Sequence, residues 1–189
     1  MLKKTTIAAL LAASGLVVSS ASMAQGKPSD TGFYIGATLG QSDFDVDCGS
    51  IGAGVSCDTK DTAFRILGGY QINKNFAAEI GYHDFGKVTV SGPGGSADIK
   101  ANAFELVGLG MFPINPQFSI YGKLGFYRGE AKALGEKETN TDFTYGLGVQ
   151  YNFNPKLGVR GEWQQYKGLG GDDLDTDVSV LSVGVVWKF

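Results

Sequence analysis

The stretch FSIYGKLGFYR, residues 118–128, splits into two interleaved sets. Phe118, Ile120, Gly122, Leu124 and Phe126 form one set; Ser119, Tyr121, Lys123, Gly125 and Tyr127 form the other. The first set is apolar or small throughout. The second carries Lys123 and the hydroxyls, and Arg128 closes the segment. A period of two puts the sets on opposite faces of a β-strand, whereas a helix repeats every 3.6 residues. The segment spans eleven residues, the length a tilted strand needs to cross a bilayer.

Seven more segments alternate in the same way: Gly32–Ser42, Thr62–Ile72, Phe76–Phe85, Ala101–Phe112, Asp142–Phe153, Leu157–Tyr166 and Val178–Phe189. Three connections are tight: Asn73-Lys74-Asn75, Pro113-Ile114-Asn115-Pro116 and Asn154-Pro155-Lys156. Four are long, roughly 43–61, 86–100, 129–141 and 167–177, and short and long take turns. A meander of that kind gathers its short turns at one end. The predicted fold is all-β: an eight-stranded antiparallel up-and-down transmembrane β-barrel, short turns periplasmic, long loops outward. The 29 glycines argue against helix, and 12 Phe with 8 Tyr suit strands. A mean hydropathy of -0.02 is compatible with a barrel whose polar lumen offsets its lipid face.

Alternation alone does not say which face is outside. Position along the strands does. On the apolar face, Phe33, Tyr70, Phe76, Phe112, Phe118, Tyr151 and Phe153 fall near the short turns. Phe64, Tyr82, Phe104, Phe126, Phe143, Tyr145 and Trp163 fall near the long loops. Aliphatic and small residues lie between. Two aromatic bands flanking an aliphatic zone match the two membrane interfaces, and a soluble core has no need of them.

Residues 1–24 read as a signal peptide. Lys3 and Lys4 precede an apolar run from Ile7 to Val18, and Ser22-Met23-Ala24 supplies small residues for cleavage. That run is too short to span a membrane. Residues 25–189 form the predicted outer-membrane barrel domain. Losing Lys3 and Lys4 takes the formal charge from -3 to -5, and an acidic chain without a basic run gives no reason to expect nucleic acid. Cys48 and Cys57, in a Gly/Ser/Asp-rich stretch of an exported chain, are expected to form a loop disulfide.

The chain ends SVGVVWKF, residues 182–189. Val183, Val185, Trp187 and Phe189 share the apolar face, so the two aromatics belong in the periplasmic band. The inward set carries Arg65, Glu79, Glu105, Lys123, Arg160, Glu162 and Lys188. An eight-stranded barrel is just wide enough for side chains to fill it, so these ions must pair across the lumen or meet trapped water. Glu79 is expected to meet Arg160 or Lys123. His83 is the one histidine and faces the lumen without a partner serine, so a hydrogen-bonded filler is expected rather than an enzyme. Asp43, Asp45, Asp47, Asp58, Asp61, Asp172, Asp173, Asp175 and Asp177 crowd the outer loops but fit no EF-hand spacing. They read as solvated acid rather than a metal site. The stretch SGPGGS, residues 91–96, lacks the Lys-Ser/Thr of a phosphate cradle and reads as a flexible tip. No cofactor is expected.

The segments LGGYQIN (67–73), AAEIGYHDFG (77–86), IYGKLGFYR (120–128) and GVQYNFNPKLGVRGEW (148–163) resemble the OmpA-type eight-stranded outer-membrane barrels, with OmpX-like proteins close by. The resemblance implies a closed barrel, mobile surface loops and an interior charge network at Glu79, Lys123, Arg160 and Glu162. Ser182, Gly184, Trp187 and Phe189 are similar to the C-terminal signal read by the barrel assembly machinery. The periplasmic peptidoglycan-binding domain of full-length OmpA proteins is not expected after Phe189. Leu109 stands at an inward position where such barrels often place a basic residue. The sequence thus implies a monomeric outer-membrane protein in contact with lipid and lipopolysaccharide, with a structural and surface-interaction role and four outer loops. A narrow pore for ions or small solutes is the alternative, and a soluble periplasmic carrier is a third reading.

Overall fold

The computed structural model describes residues 31–45, 56–92, 95–133, 136–169 and 177–189. The signal peptide and Cys48 lie outside them. Nine strands follow one another without a helix among the described residues: β1 (Gly32–Phe44), β2 (Ser56–Asp58), β3 (Lys60–Gln71), β4 (Phe76–Gly92), β5 (Gly95–Pro113), β6 (Phe118–Ala133), β7 (Glu136–Asn152), β8 (Leu157–Tyr166) and β9 (Val178–Lys188). Eight of them close on themselves. Each pairs antiparallel with its neighbours in sequence, and β1 pairs with both β3 and β9. Closure removes every free edge within the wall. The three-residue β2 stands apart, paired only with the outer end of β4.

The two faces separate as the alternation demands. Ile35, Leu39, Ile66, Ile80, Leu106, Leu124, Leu147 and Val183 are exposed on the outer wall. Arg65, Glu79, Glu105, Lys123, Arg160 and Glu162 are buried inside. A soluble carrier needs the opposite arrangement, because its apolar cargo sits within. Every aromatic assigned to the two bands lies on the outer face, from Phe33 and Phe112 near the turns to Phe104 and Phe126 near the far rim.

One device builds all three short turns. Asn73 Oδ1 accepts from the amides of Asn75 (2.8 Å) and Phe76 (3.0 Å). Asn115 does the same for Gln117 and Phe118, and Asn154 for Lys156 and Leu157. A short amide side chain that bonds its own backbone two and three residues on is what makes asparagine a turn former. Each turn then holds the following hairpin. The carbonyls of Asn75, Gln117 and Lys156 accept from the amides of Met111 (2.6 Å), Asn152 (2.8 Å) and Lys188 (2.7 Å). The middle turn falls one residue later than the sequence suggests, since Pro113 still belongs to β5.

The outer end departs from expectation. Two of the four connections read as long loops, 86–100 and 129–141, are ladder over most of their length. Lys87 to Gly92 pairs with Gly95 to Lys100, and Gly129 to Ala133 pairs with Glu136 to Asn140. Alternation marks a strand only where one face is buried. Above the bilayer no hydrocarbon lies beside the outer face, so the alternation between apolar and polar residues has no cause there. The barrel wall is therefore uneven. β4 to β7 run 16 to 19 residues, whereas β8 and β9 stop at 10 and 11. A bulge marks where β4 leaves the barrel. The register shifts between Asp84 and Lys87, and Gly86 takes a φ of 77°. A Cβ there would lie 2.6 Å from Asp61 Oδ2, the oxygen that accepts the Lys87 amide at 2.8 Å. Only glycine satisfies both the left-handed backbone and the space.

Candidate functional site in the barrel lumen

Three cations and three carboxylates meet at mid-height. Arg65, from β3, is the hub. It donates to Glu79 of β4 (2.8 Å) and Glu162 of β8 (3.0 Å), and it pairs with Glu105 of β5. Arg160 reaches Glu79 at 2.6 Å, and Lys123 reaches Glu162 at 3.1 Å. Formal charge within the cluster is zero. That balance is what lets ions persist out of bulk water, since an unpaired buried charge costs several kcal/mol.

Neutral side chains complete the coordination. The hydroxyls of Tyr34, Tyr121 and Tyr166 donate to Glu79 (2.8 Å), Glu162 (2.7 Å) and Glu105 (2.6 Å). Gln164 Nε2 adds a bond to Glu105 at 2.8 Å, and Arg160 donates to Gln150 at 3.0 Å. Each carboxylate thus has at least one cation and one tyrosine. The Arg160 guanidinium also lies 5.8 Å from the ring centre of Tyr34 and 5.4 Å from that of Tyr121, within cation–π range.

Glycine makes the room. Tyr34 lies opposite Gly69 in the ladder, and Tyr121 lies opposite Gly148. A Cβ at Gly69 would sit 2.2 Å from the Tyr34 ring, and one at Gly148 would sit 2.3 Å from the Tyr121 ring. In a lumen this narrow a large inward side chain requires a missing one across the strand pair.

Two apolar layers bracket the ions. Toward the long strands lie Phe44, Phe85, Tyr127, Tyr166, Val178 and Val180, with Ala63, Ala101, Ala103 and Leu169. Toward the turns lie Tyr34, Leu67, Val107, Leu109, Met111, Tyr121 and Val186 with Ala77. Leu109 belongs to this lower layer, in register with Lys123. His83 sits between the ions and the upper layer, its ring 4.9 Å from Phe85 and 5.3 Å from Tyr166.

Of the residues the sequence singled out, Arg65, Glu79, Glu105, Lys123, Arg160 and Glu162 all enter this cluster. The partners differ in part. Glu79 meets Arg160 and also Arg65, and Lys123 turns to Glu162. Tyr34, Tyr121, Tyr166, Gln150 and Gln164 were not singled out; their inward parity was the available signal. Ser182 is buried in the lumen, while Trp187 and Phe189 lie on the outer wall. Gly184 lies at the β1–β9 seam, where a Cβ would stand 2.4 Å from the Ala37 carbonyl oxygen. The Cys48–Cys57 pairing falls outside the described residues, as do Asp47, Asp172, Asp173 and Asp175. Among the described residues, no group of three or more His, Cys, Asp or Glu is placed to hold a metal ion.

A closed antiparallel barrel that encloses its ions and presents hydrocarbon side chains outward between two aromatic bands is a transmembrane β-barrel of the Gram-negative outer membrane. The chain belongs to the outer membrane protein beta-barrel domain family, whose model matches residues 8–189. It is 31% identical to outer membrane protein A of Escherichia fergusonii, over all of this chain and 56% of that protein. The chain thus spans about half the length of this curated relative. Among solved structures, Neisserial surface protein A superposes with a TM-score of 0.59 at 21% identity, covering 83% of this chain and 97% of that one. The N-terminal barrel of OprF from Pseudomonas aeruginosa gives 0.56 at 12% identity, covering 85% and 98%. At such identities the likeness concerns the fold.

Proposed function

We propose that this outer-membrane barrel is a structural and surface-presenting protein with a closed lumen, displaying four outer connections. One observation carries the reading: every cation and every carboxylate of the cluster is paired within it, and apolar layers cover it above and below. An ion entering from either side would leave water, cross an apolar layer and displace a paired charge. The aromatic bands fix the barrel against lipid, and the outer connections meet lipopolysaccharide and whatever approaches the cell. Ser182, Gly184, Trp187 and Phe189 would be read by the barrel assembly machinery during insertion. The barrel acts as a monomer, and no catalytic step is required of it. Planar-bilayer recording and liposome swelling test this. Closed membranes with no steady conductance and no sugar uptake are expected. Stable unitary steps carried by the pure chain would favour a narrow pore instead.

A further inference from the structure

The wall is low where β8 ends at Tyr166 and β9 begins at Val178, and tall where β6 and β7 run on to Ala133 and Glu136. Past Tyr166 the chain leaves the ladder. Lys167, Gly168 and Leu169 turn inward across the mouth of the lumen. Leu169 is 5% exposed and takes a place in the upper apolar layer with Ala103, Tyr127 and Phe85. Gly129 leaves room for it, since a Cβ there would stand 2.9 Å from Leu169 Cδ1. Gly168 has a φ of 61°, in the left-handed region, and a Cβ on it would stand 2.7 Å from Asp142 Oδ2.

The ties on this strap come from separate parts of the wall. The Tyr127 hydroxyl, from β6, donates to the Lys167 carbonyl. Asn140, from β7, donates from Nδ2 to the Gly168 carbonyl at 2.6 Å, and the Lys167 amide donates to the Phe143 carbonyl at 3.3 Å. Asp177 pairs with the Lys167 ammonium and accepts the Gly168 amide at 3.3 Å. Its own carbonyl accepts the amide of Asp45, just past β1, at 2.9 Å. Side chains thus supply most of the hold on the strap. Its other flank borders a polar cavity of about 320 Å³, lined by Asp45, Asp142, Phe143, Lys167, Gly168 and Asp177, so it is packed on the Leu169 side and open on this one.

Polar atoms lie unpaired beneath the strap. His83 Nδ1 and Gln164 Oε1 are buried and have no hydrogen-bond partner in the protein. His83 packs on Phe85 and Tyr166 of the layer that Leu169 completes, and Gln164 stands opposite Val180 of the same layer. Unpaired burial raises the free energy of the closed form, and water entering the mouth satisfies both atoms. A short segment held by a few bonds over such atoms opens locally while the fold persists.

We propose that Lys167–Leu169 is a latch over the outer half of the lumen. Seated, it keeps the upper chamber dry. Lifted, it lets water and small polar solutes reach His83 and Gln164 while the ion cluster below stays shut. The latch rests on the closed-lumen reading above and divides that closure into two independent barriers.

The test measures how fast a thiol beneath the latch is alkylated in the folded barrel. Cys48 and Cys57 are replaced by Ser, and Ala103, which is 0% exposed and opposite Gly129, is replaced by Cys. The full chain is folded into phosphatidylcholine vesicles and treated with iodoacetamide, a small neutral reagent. In this parent the thiol should react at least about a hundredfold more slowly than in the urea-unfolded chain. Tyr127→Phe with Asn140→Ala cuts two ties and keeps Leu169, and should speed the reaction at least about tenfold. Asn140→Ala alone, at a half-buried rim position that leaves the apolar layer intact, should speed it about threefold. The parent rate should also rise with salt, which screens the part-exposed Lys167–Asp177 pair. Planar bilayers carrying the double variant should stay silent, because the ion cluster is untouched. Equal alkylation rates in the parent and both variants, or a parent thiol as reactive as in urea, would overturn the latch. Steady current through the double variant would overturn it as well, since the two barriers would not be independent. Failure of the closed-lumen reading shows separately, as steady current through the wild type, and takes the latch with it.

Discussion

Replacing Arg65 by Met removes the hub of the lumen cluster while keeping much of its volume. Three cations and three carboxylates become two and three. Glu79 keeps Arg160 at 2.6 Å, and Glu162 keeps Lys123 at 3.1 Å. Glu105 retains only neutral donors, Tyr166 at 2.6 Å and Gln164 at 2.8 Å. The loss therefore falls on one carboxylate that is buried with no cation. Breaking a buried pair in this way costs about 3–5 kcal/mol. Neutralising the stranded group should recover much of that, so Arg65→Met with Glu105→Gln should be more stable than Arg65→Met alone. A coupling of about 1–3 kcal/mol is expected for groups in one network. Urea titration of the barrel in phosphatidylcholine vesicles measures this. Trp163 and Trp187 both lie on the lipid face, so their fluorescence reports transfer to water on unfolding. An Arg65→Met barrel within about 1 kcal/mol of wild type, or a double variant no better than the single, would refute the reasoning.

Other substitutions separate the elements of the account. Gly69→Ala should cost about 1–3 kcal/mol, because the new methyl meets the Tyr34 ring. Gly68→Ala, one residue away with nothing within 4 Å of its Cβ position, should change stability little by the same titration. Asn115→Ala should lose about 1 kcal/mol, whereas Asn115→Asp should hold, since a carboxylate oxygen still accepts both amides. Leu124→Arg places a charge at mid-wall and should cost about 2–4 kcal/mol of folding into bilayers; a neutral result would mean that the site does not face hydrocarbon.

The sequence revealed the strands where, and because, one side of them is wet and the other is not. Phe118–Arg128 is legible since Lys123 and Leu124 sit in such different surroundings. The continuation of the same strand to Ala133 was not, because beyond the bilayer no hydrocarbon selects apolar residues for one face. For the cluster, alternation fixed which side each ion takes. It did not fix azimuth around the barrel, and azimuth decides partners. Lys123 and Arg65 face the lumen as Arg160 does, yet only register and shear show that Glu79 falls between the two arginines. The tyrosines were hidden for a related reason. Tyr121 shares the inward set with Lys123, but its role emerges from Gly148 across the ladder, which sequence alone does not align with it. The three asparagine turns were visible as tight connections, although the repeated clasp onto the next hairpin depends on contacts 32 to 36 residues away, such as Asn75 with Met111.

The central claim is that the outer wall touches hydrocarbon and the ions lie within. Nitroxide labels at Ile80, Leu124 and Val183, in the barrel folded into lipid vesicles, test it through collision with oxygen and with a water-soluble nickel complex. These positions are 63%, 64% and 69% exposed. Oxygen should relax all three strongly and nickel should not reach them. Strong nickel relaxation, or labels shielded from both reagents in a packed interior, would contradict the account.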